Sequence, residues 1–183
     1  SHDSFFQGNL AAAEDALATI RSWLDDAGQR GGDLADCFGG VGLFALGLAD
    51  RFDRVVTMDA DESASRDARE NARRHPLGGE RVGVHQGEVH HLLADPTVRA
   101  ALDWDEATVI LDPPRAGLGK PVLAALAERR PQRLIYLSCD PATLARDAAA
   151  LTAAGYELVR ARPVAMVPQT AHLETLVQLN RQS

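Results

Sequence analysis

Cysteine is scarce. The chain of 183 residues holds only Cys37 and Cys139, too few for a disulfide framework or, unaided, for a zinc or iron–sulfur site. That scarcity fits a reducing compartment, so a cytoplasmic location is expected. No run of about eighteen apolar residues occurs, which leaves no candidate membrane-spanning helix. The opening Ser1-His2-Asp3-Ser4-Phe5-Phe6-Gln7 lacks the basic-then-apolar pattern of a signal peptide. Basic excess is missing too: 19 Lys and Arg face 26 Asp and Glu, a net charge of −7. Binding a polyanion usually draws on a basic face, so the composition by itself leans against one. Arginines such as Arg66, Arg69, Arg73 and Arg74 can still cluster in space.

What is present is regular alternation. Asn9 can cap a helix over 10–27, with Leu17, Ile20 and Leu24 on one face and Gly28 beyond its end. Strands are predicted at 33–37, 54–58, 81–85, 107–111 and 133–137, and helices at 43–49, 62–74, 90–102, 120–129 and 141–154. Two closing strands, 156–166 and 172–179, have no helix between them. The pattern predicts an α/β fold with a doubly wound, mostly parallel sheet of seven strands and an antiparallel addition at one edge. No linker, repeat or low-complexity stretch interrupts it, so residues 1–183 read as a single domain.

Polar residues gather where the strands end, the side on which open α/β sheets bind ligands. Asp36-Cys37-Phe38-Gly39-Gly40-Val41-Gly42 follows the first strand and opens into a helix. Glycines there let a nucleotide-like ligand approach the backbone, although an ordinary tight turn would use them equally. Asp59 closes the second strand roughly twenty residues later, where a carboxylate takes ribose hydroxyls in Rossmann-type sites. Glu88 follows the third strand and is placed to meet an adenine amino group or simply to start a helix. Asp112-Pro113-Pro114-Arg115 is more rigid, because two prolines hold an extended turn that fixes Asp112 at a strand end. Arg115 can contact phosphate or sit in a surface ion pair. Cys139 ends the fifth strand, with Asp140 as a cap and Pro141 in the first turn of the next helix. A thiol in that position is either a nucleophile or a small packing residue. In His172-Leu173-Glu174 alternation puts His172 and Glu174 on one face, where a carboxylate can act as a base or be merely solvated.

Together these segments resemble the catalytic domain of the RNA uracil-5-methyltransferases, which make 5-methyluridine in transfer and ribosomal RNA. The family carries in order a Phe-Gln-x-Asn entry, the glycine turn, an acidic end to strand two, Asp-Pro-Pro-Arg, Ser-Cys-Asn-Pro-x-Thr-Leu-Ala-Arg-Asp and Pro-Gln-Thr-x-His-x-Glu. All six have counterparts here, from Phe6-Gln7-Gly8-Asn9 to Pro168-Gln169-Thr170-Ala171-His172-Leu173-Glu174. The resemblance implies a class I, Rossmann-like methyltransferase fold with S-adenosylmethionine as cofactor and RNA as partner, and neither a metal nor a membrane. It implies Cys139 as the nucleophile at C6 of uracil, Glu174 as the base at C5 and Asp112 beside the pyrimidine. Gln7, Phe38, Gly40, Gly42, Asp59, Glu88 and Asp112 are expected at the cofactor, and Gln7, Arg115 and His172 at the substrate.

Two departures stand out. Asp140 replaces the family's usual asparagine, adding a negative charge beside Cys139 unless a hydrogen bond or Arg115 or Arg146 compensates it. The RNA-binding β-barrel that usually precedes the family's catalytic part is not seen in this sequence. A methyltransferase with another substrate, or a cofactor-binding part that needs a further domain, are the competing expectations.

Overall fold

The computed structural model describes residues 10–164 and 174–182. Helix α1 (Leu10–Asp26) leads to β1 (Asp33–Cys37), short α2 (Leu43–Gly47), β2 (Arg54–Asp59) and α3 (Glu62–Arg74). A helical turn α4 (Gly78–Arg81) precedes β3 (Val82–Gln86), followed by α5 (Val89–Ala94), α6 (Pro96–Ala101) and β4 (Thr108–Leu111). Then come α7 (Gly119–Arg129), β5 (Arg133–Ser138), α8 (Pro141–Ala153), β6 (Tyr156–Val164) and β7 (Glu174–Arg181).

The seven strands form one sheet in the order β3-β2-β1-β4-β5-β7-β6. The first five are parallel, and β7 enters antiparallel between β5 and β6. Strand order reverses at β1 and β4, so the crevice between their carboxyl ends is the expected ligand position. Alternating side chains build two cores. Ala35, Cys37, Val56, Met58, Val109, Leu111 and Tyr136 pack on one face with Leu93, Leu126 and Leu151 from the helices. Leu34, Val55, Ile110, Ile135 and Leu137 pack on the other against Ala12, Ala16, Ile20 and Leu24 of α1. Burying a side chain such as Ile20 or Leu24 contributes about 1.5–3 kcal/mol, which pins α1 across the sheet.

The predicted helix over 90–102 is broken in two by Asp95-Pro96. Asp95 caps α6 by accepting from the amides of Thr97 (2.7 Å) and Val98 (3.3 Å), and Pro96 takes its first turn. Arg81, expected to open β3, closes α4 instead. Asn9 lies outside the described residues. Among those described, no helix is long and apolar enough to cross a membrane.

Candidate active site

After β1 the chain turns sharply. Phe38 takes a left-handed backbone (φ 62°), uncommon for a side chain of this size, and Gly39 then passes directly over β2. A Cβ on Gly39 would lie 2.2 Å from Thr57 Oγ1 and 2.7 Å from Asp36 Oδ2, so only glycine fits. The Gly39 amide donates to Met58 O (3.1 Å) and the Gly40 amide to Asp59 Oδ2 (2.8 Å), tying the turn to the end of β2. Asp59 Oδ1 accepts from the Asp61 amide (2.8 Å), and Asp61 caps α3 through the Ala64 amide (2.8 Å). Beneath the turn, Asp36 is fully buried and accepts from the Ala45 amide (3.0 Å). Its Oδ1 has no partner among the described residues, and burial pushes its carboxyl up to about 7.

This turn forms one wall of a cavity of about 630 Å³, lined by Ala13, Phe38, Gly39, Gly40, Val41, Leu43, Phe44, Asp59, Asp61, Ala64, Asp112, Leu137 and Glu174. The volume suits a nucleoside-sized ligand. Gly40 (φ +54°) fronts it with nothing within 4 Å of where a Cβ would sit. The turn, the strand-end carboxylate and the mixed apolar and acidic lining fit an adenosine-containing, cationic group.

Asp112 leaves β4 with its amide donating to Cys37 O (3.3 Å), so it stands directly beside the glycine turn. Confinement in the cleft, and then the neighbouring Glu174 and Asp59 carboxylates, push its carboxyl up to about 7. The side chain is exposed to solvent at the cleft, which tempers the burial effect. Glu174 begins β7 almost fully buried, and that burial raises its carboxyl as well.

Cys139 follows β5. The antiparallel β5–β7 ladder ends with Ser138 paired to Thr175, so Cys139 follows and Glu174 precedes the two members of its last pair. The turn carrying the thiol is tightly held. Ser138 Oγ donates to Asp140 O (3.0 Å) and accepts from the Asp140 amide (3.2 Å), and Asp140 Oδ1 accepts from the Thr143 amide (2.8 Å) as the cap of α8. That amide bond, with the Thr143 hydroxyl and the more distant Arg115 charge, holds the Asp140 carboxyl below its ordinary range. The negative charge expected to disturb Cys139 is therefore directed into the start of a helix. Arg146, the other expected partner, pairs with Asp147 instead (2.8 Å).

The structure brings Phe38, Gly40, Asp59, Asp112 and Glu174 together around the cavity. Gly42 (φ +86°) sits behind it as the cap of α2, and Cys139 lies at the neighbouring strand end. Glu88, exposed at the start of α5, is not among the lining residues, although adjacent Gly87 donates to Asp59 O (2.8 Å). Arg115 stands in the exposed loop after β4. Gln7 and His172 lie outside the described residues. Asp61 and Leu137 line the cavity without having been singled out, and the position of Asp61 just after the acidic end of β2 was the available signal.

Sheet order and glycine turn define a class I methyltransferase fold. Magnesium protoporphyrin IX methyltransferase of Synechocystis PCC 6803 shares it at 14% identity (TM-score 0.72, over 96% of this chain and 85% of that one), a likeness of fold alone. Sequence narrows the class. The tRNA (uracil-5-)-methyltransferase family matches residues 96–182. The 23S rRNA (uracil(1939)-C(5))-methyltransferase RlmD of Chromohalobacter salexigens is 38% identical over 97% of this chain. The tRNA (uracil-54, C5)-methyltransferase of Pyrococcus abyssi, solved with S-adenosyl-L-homocysteine, is 28% identical over 90% of this chain (TM-score 0.71). The chain belongs to the RNA uracil-5-methyltransferase family and corresponds to its catalytic domain. It spans 35% of the Chromohalobacter protein and 38% of the Pyrococcus one.

Proposed function

We propose that this chain is the catalytic part of an S-adenosylmethionine-dependent methyltransferase that forms 5-methyluridine in RNA through a covalent adduct on Cys139. The observation that supports the reading is the end of the β5–β7 ladder, where Ser138 pairs with Thr175 and the thiol and a buried carboxylate adjoin that last pair at the strand ends flanking the cavity.

Gly40, Asp59 and the apolar wall of Phe38, Val41 and Phe44 would hold the cofactor, which supplies an electrophilic methyl group. C5 of uracil is too weak a nucleophile to accept that methyl unaided. Addition of the Cys139 thiolate at C6 turns C4–C5 into an enolate and makes C5 nucleophilic. Asp112, rigid on its two prolines, faces the pyrimidine. Once C5 carries the methyl, Glu174 removes the C5 proton and the thiolate is expelled, restoring the double bond and the free enzyme. Burial raises the Glu174 carboxyl, which makes it a better proton acceptor than an exposed glutamate. The uridine must leave its stack to reach the thiol, with Arg115 and His172 as the proposed contacts to RNA. A cytoplasmic site of action goes with the two unpaired cysteines.

The test uses the full-length parent protein, labelled S-adenosylmethionine and RNA lacking 5-methyluridine. Label is expected in RNA, and RNA bearing 5-fluorouridine is expected to trap an adduct, because fluorine cannot leave as the proton does. Cys139→Ala should abolish both. Methylation that survives Cys139→Ala would overturn the mechanism, and absence of transfer by the parent would overturn the activity. A net charge of −7 favours one further outcome, in which the isolated chain binds cofactor but turns over RNA only within the longer protein.

A further inference from the structure

Asp147 is a buried carboxylate that the proposed chemistry leaves unused. It lies on α8, fully inaccessible, and is not among the residues lining the cavity. Its Oδ2 accepts from the Leu118 amide (2.8 Å) and from the Tyr136 hydroxyl (3.0 Å). Its Oδ1 accepts from Arg146 through both Nε (2.9 Å) and Nη2 (2.8 Å), and Nη2 also donates to Ala116 O (2.8 Å). Three segments meet at this one carboxylate. The 112–118 loop carries Asp112 and Arg115, β5 carries Tyr136 and leads into Cys139, and α8 carries the cap residue Asp140.

The loop is shaped to this contact. Gly117 (φ +79°) donates to Pro114 O (2.8 Å) to close a turn, and a Cβ there would lie 2.4 Å from Asp147 Oδ2 and 2.6 Å from Arg146 Nη2. The backbone therefore presses directly onto the Asp147–Arg146 pair. A buried carboxylate is tolerated only when its lone pairs are met, and here an arginine fork, a phenol and a buried amide meet them.

We propose that Asp147 is a positioning residue, bracing the 112–118 loop against β5 and α8 so that Asp112 and the Cys139 turn keep a fixed separation. The inference rests on the proposed uracil chemistry for its consequence, whereas the brace itself can be measured without that chemistry. Catalytic groups must be held closely, since a misplacement of about 1 Å can cost on the order of a hundredfold in rate.

The test is Asp147→Asn in the full-length protein. The amide is isosteric and keeps an oxygen for Leu118 and Tyr136, but turns an NH2 group toward Arg146, so the fork is lost and the fold retained. Leu151→Ala, a buried core change on the same helix, serves as the control for lost stability. Asp147→Asn should speed amide exchange at Ala116, Gly117 and Leu118. It should slow adduct formation with 5-fluorouridine RNA at least ~10-fold at saturating RNA, leaving the KM for RNA and the affinity for S-adenosylhomocysteine within about twofold of the parent. Arg146→Lys, which keeps a single donor, should fall between. Leu151→Ala should lower stability without slowing adduct formation to that extent. Unchanged exchange in the loop, or equal slowing by Leu151→Ala, would overturn the proposal. If the parent forms no adduct, the uracil reading fails, and the exchange comparison still decides whether Asp147 braces the loop.

Discussion

Gly39→Ala separates two views of the glycine turn. Gly39 needs no left-handed backbone, so by conformational entropy alone alanine would stabilise the fold by about 0.4–1 kcal/mol. Sterics argue the reverse, because the new Cβ would fall 2.2 Å from Thr57 Oγ1 and 2.7 Å from Asp36 Oδ2. Both neighbours are buried, and Asp36 is held by the Ala45 amide. Overpacking of this kind costs about 1–3 kcal/mol. Displacing Asp36 from the Ala45 amide costs about 1–3 kcal/mol more. The net expectation is a loss of about 3 kcal/mol, read as a lower urea midpoint with unchanged slope and a Tm lower by roughly 6–12 °C. Gly40→Ala is the contrast. Its Cβ meets no protein atom, so it costs about 1 kcal/mol of left-handed strain and instead intrudes on the cavity. Its loss should appear in the affinity for S-adenosylhomocysteine, by calorimetry, far more than in Tm. A Gly39→Ala protein as stable as the parent would refute the steric reasoning.

Three further outcomes follow from the same contacts. Asp36 and Asp112 are each pushed up to about 7, so between about pH 4 and 7 the folded chain holds more protons than the unfolded one and stability falls as pH rises. Asp36→Asn should flatten that slope in urea titrations at pH 5 and 8, and an unchanged slope would refute the assignment. Asp140→Asn should leave Tm at pH 7 unaltered, because asparagine caps a helix as well as aspartate. The lowered Asp140 carboxyl adds stability that is lost as pH falls below the ordinary carboxylate range, and the variant should lack that loss. Tyr156→Phe removes the buried bond to Pro131 O (2.9 Å) and should cost about 1–2 kcal/mol by urea denaturation.

Local physics made most of the fold legible. Apolar alternation and capping residues mark β1 to β5 and the helices between them, because those signals act within a turn or a strand. The glycine-turn wall of the cavity was equally readable, since Gly40 and Asp59 sit at strand ends in a fixed order. Cys139 and Glu174 were joined in the sequence only by the family resemblance, not by any local signal. Their nearness depends on β7 entering between β5 and β6, a long-range arrangement that leaves no periodic trace. Asp147 was hidden for a different reason. In the run Leu144-Ala145-Arg146-Asp147 it reads as an exposed charge beside a neutralising arginine, and only the packing of the 112–118 loop buries it. Asp36 reads as part of the glycine turn, yet nothing local shows that one of its oxygens is left without a partner among the described residues.

The acidity of the cleft carries a consequence for turnover. Asp59, Asp112 and Glu174 line one cavity, and an acid that repels its neighbours is raised until a positive charge arrives. A cationic ligand stabilises the ionised form of Asp112, lowers its pKa in the complex and releases protons on binding. Affinity for S-adenosylmethionine should therefore rise with pH up to about 7, the value for Asp112, and level off above it. Solvent screening in an exposed cleft reduces the attraction between unlike charges to a several-fold effect on affinity. S-adenosylhomocysteine lacks the sulfonium charge, so its affinity should vary far less. If the proposed methyl transfer takes place here, it would remove the sulfonium charge from a ligand lying in an acidic cleft and so weaken the hold of these residues on the product. Calorimetry with both ligands at pH 6 and pH 8 measures the difference. Parallel pH dependence for the two would show that the cleft carboxylates do not sense the sulfonium.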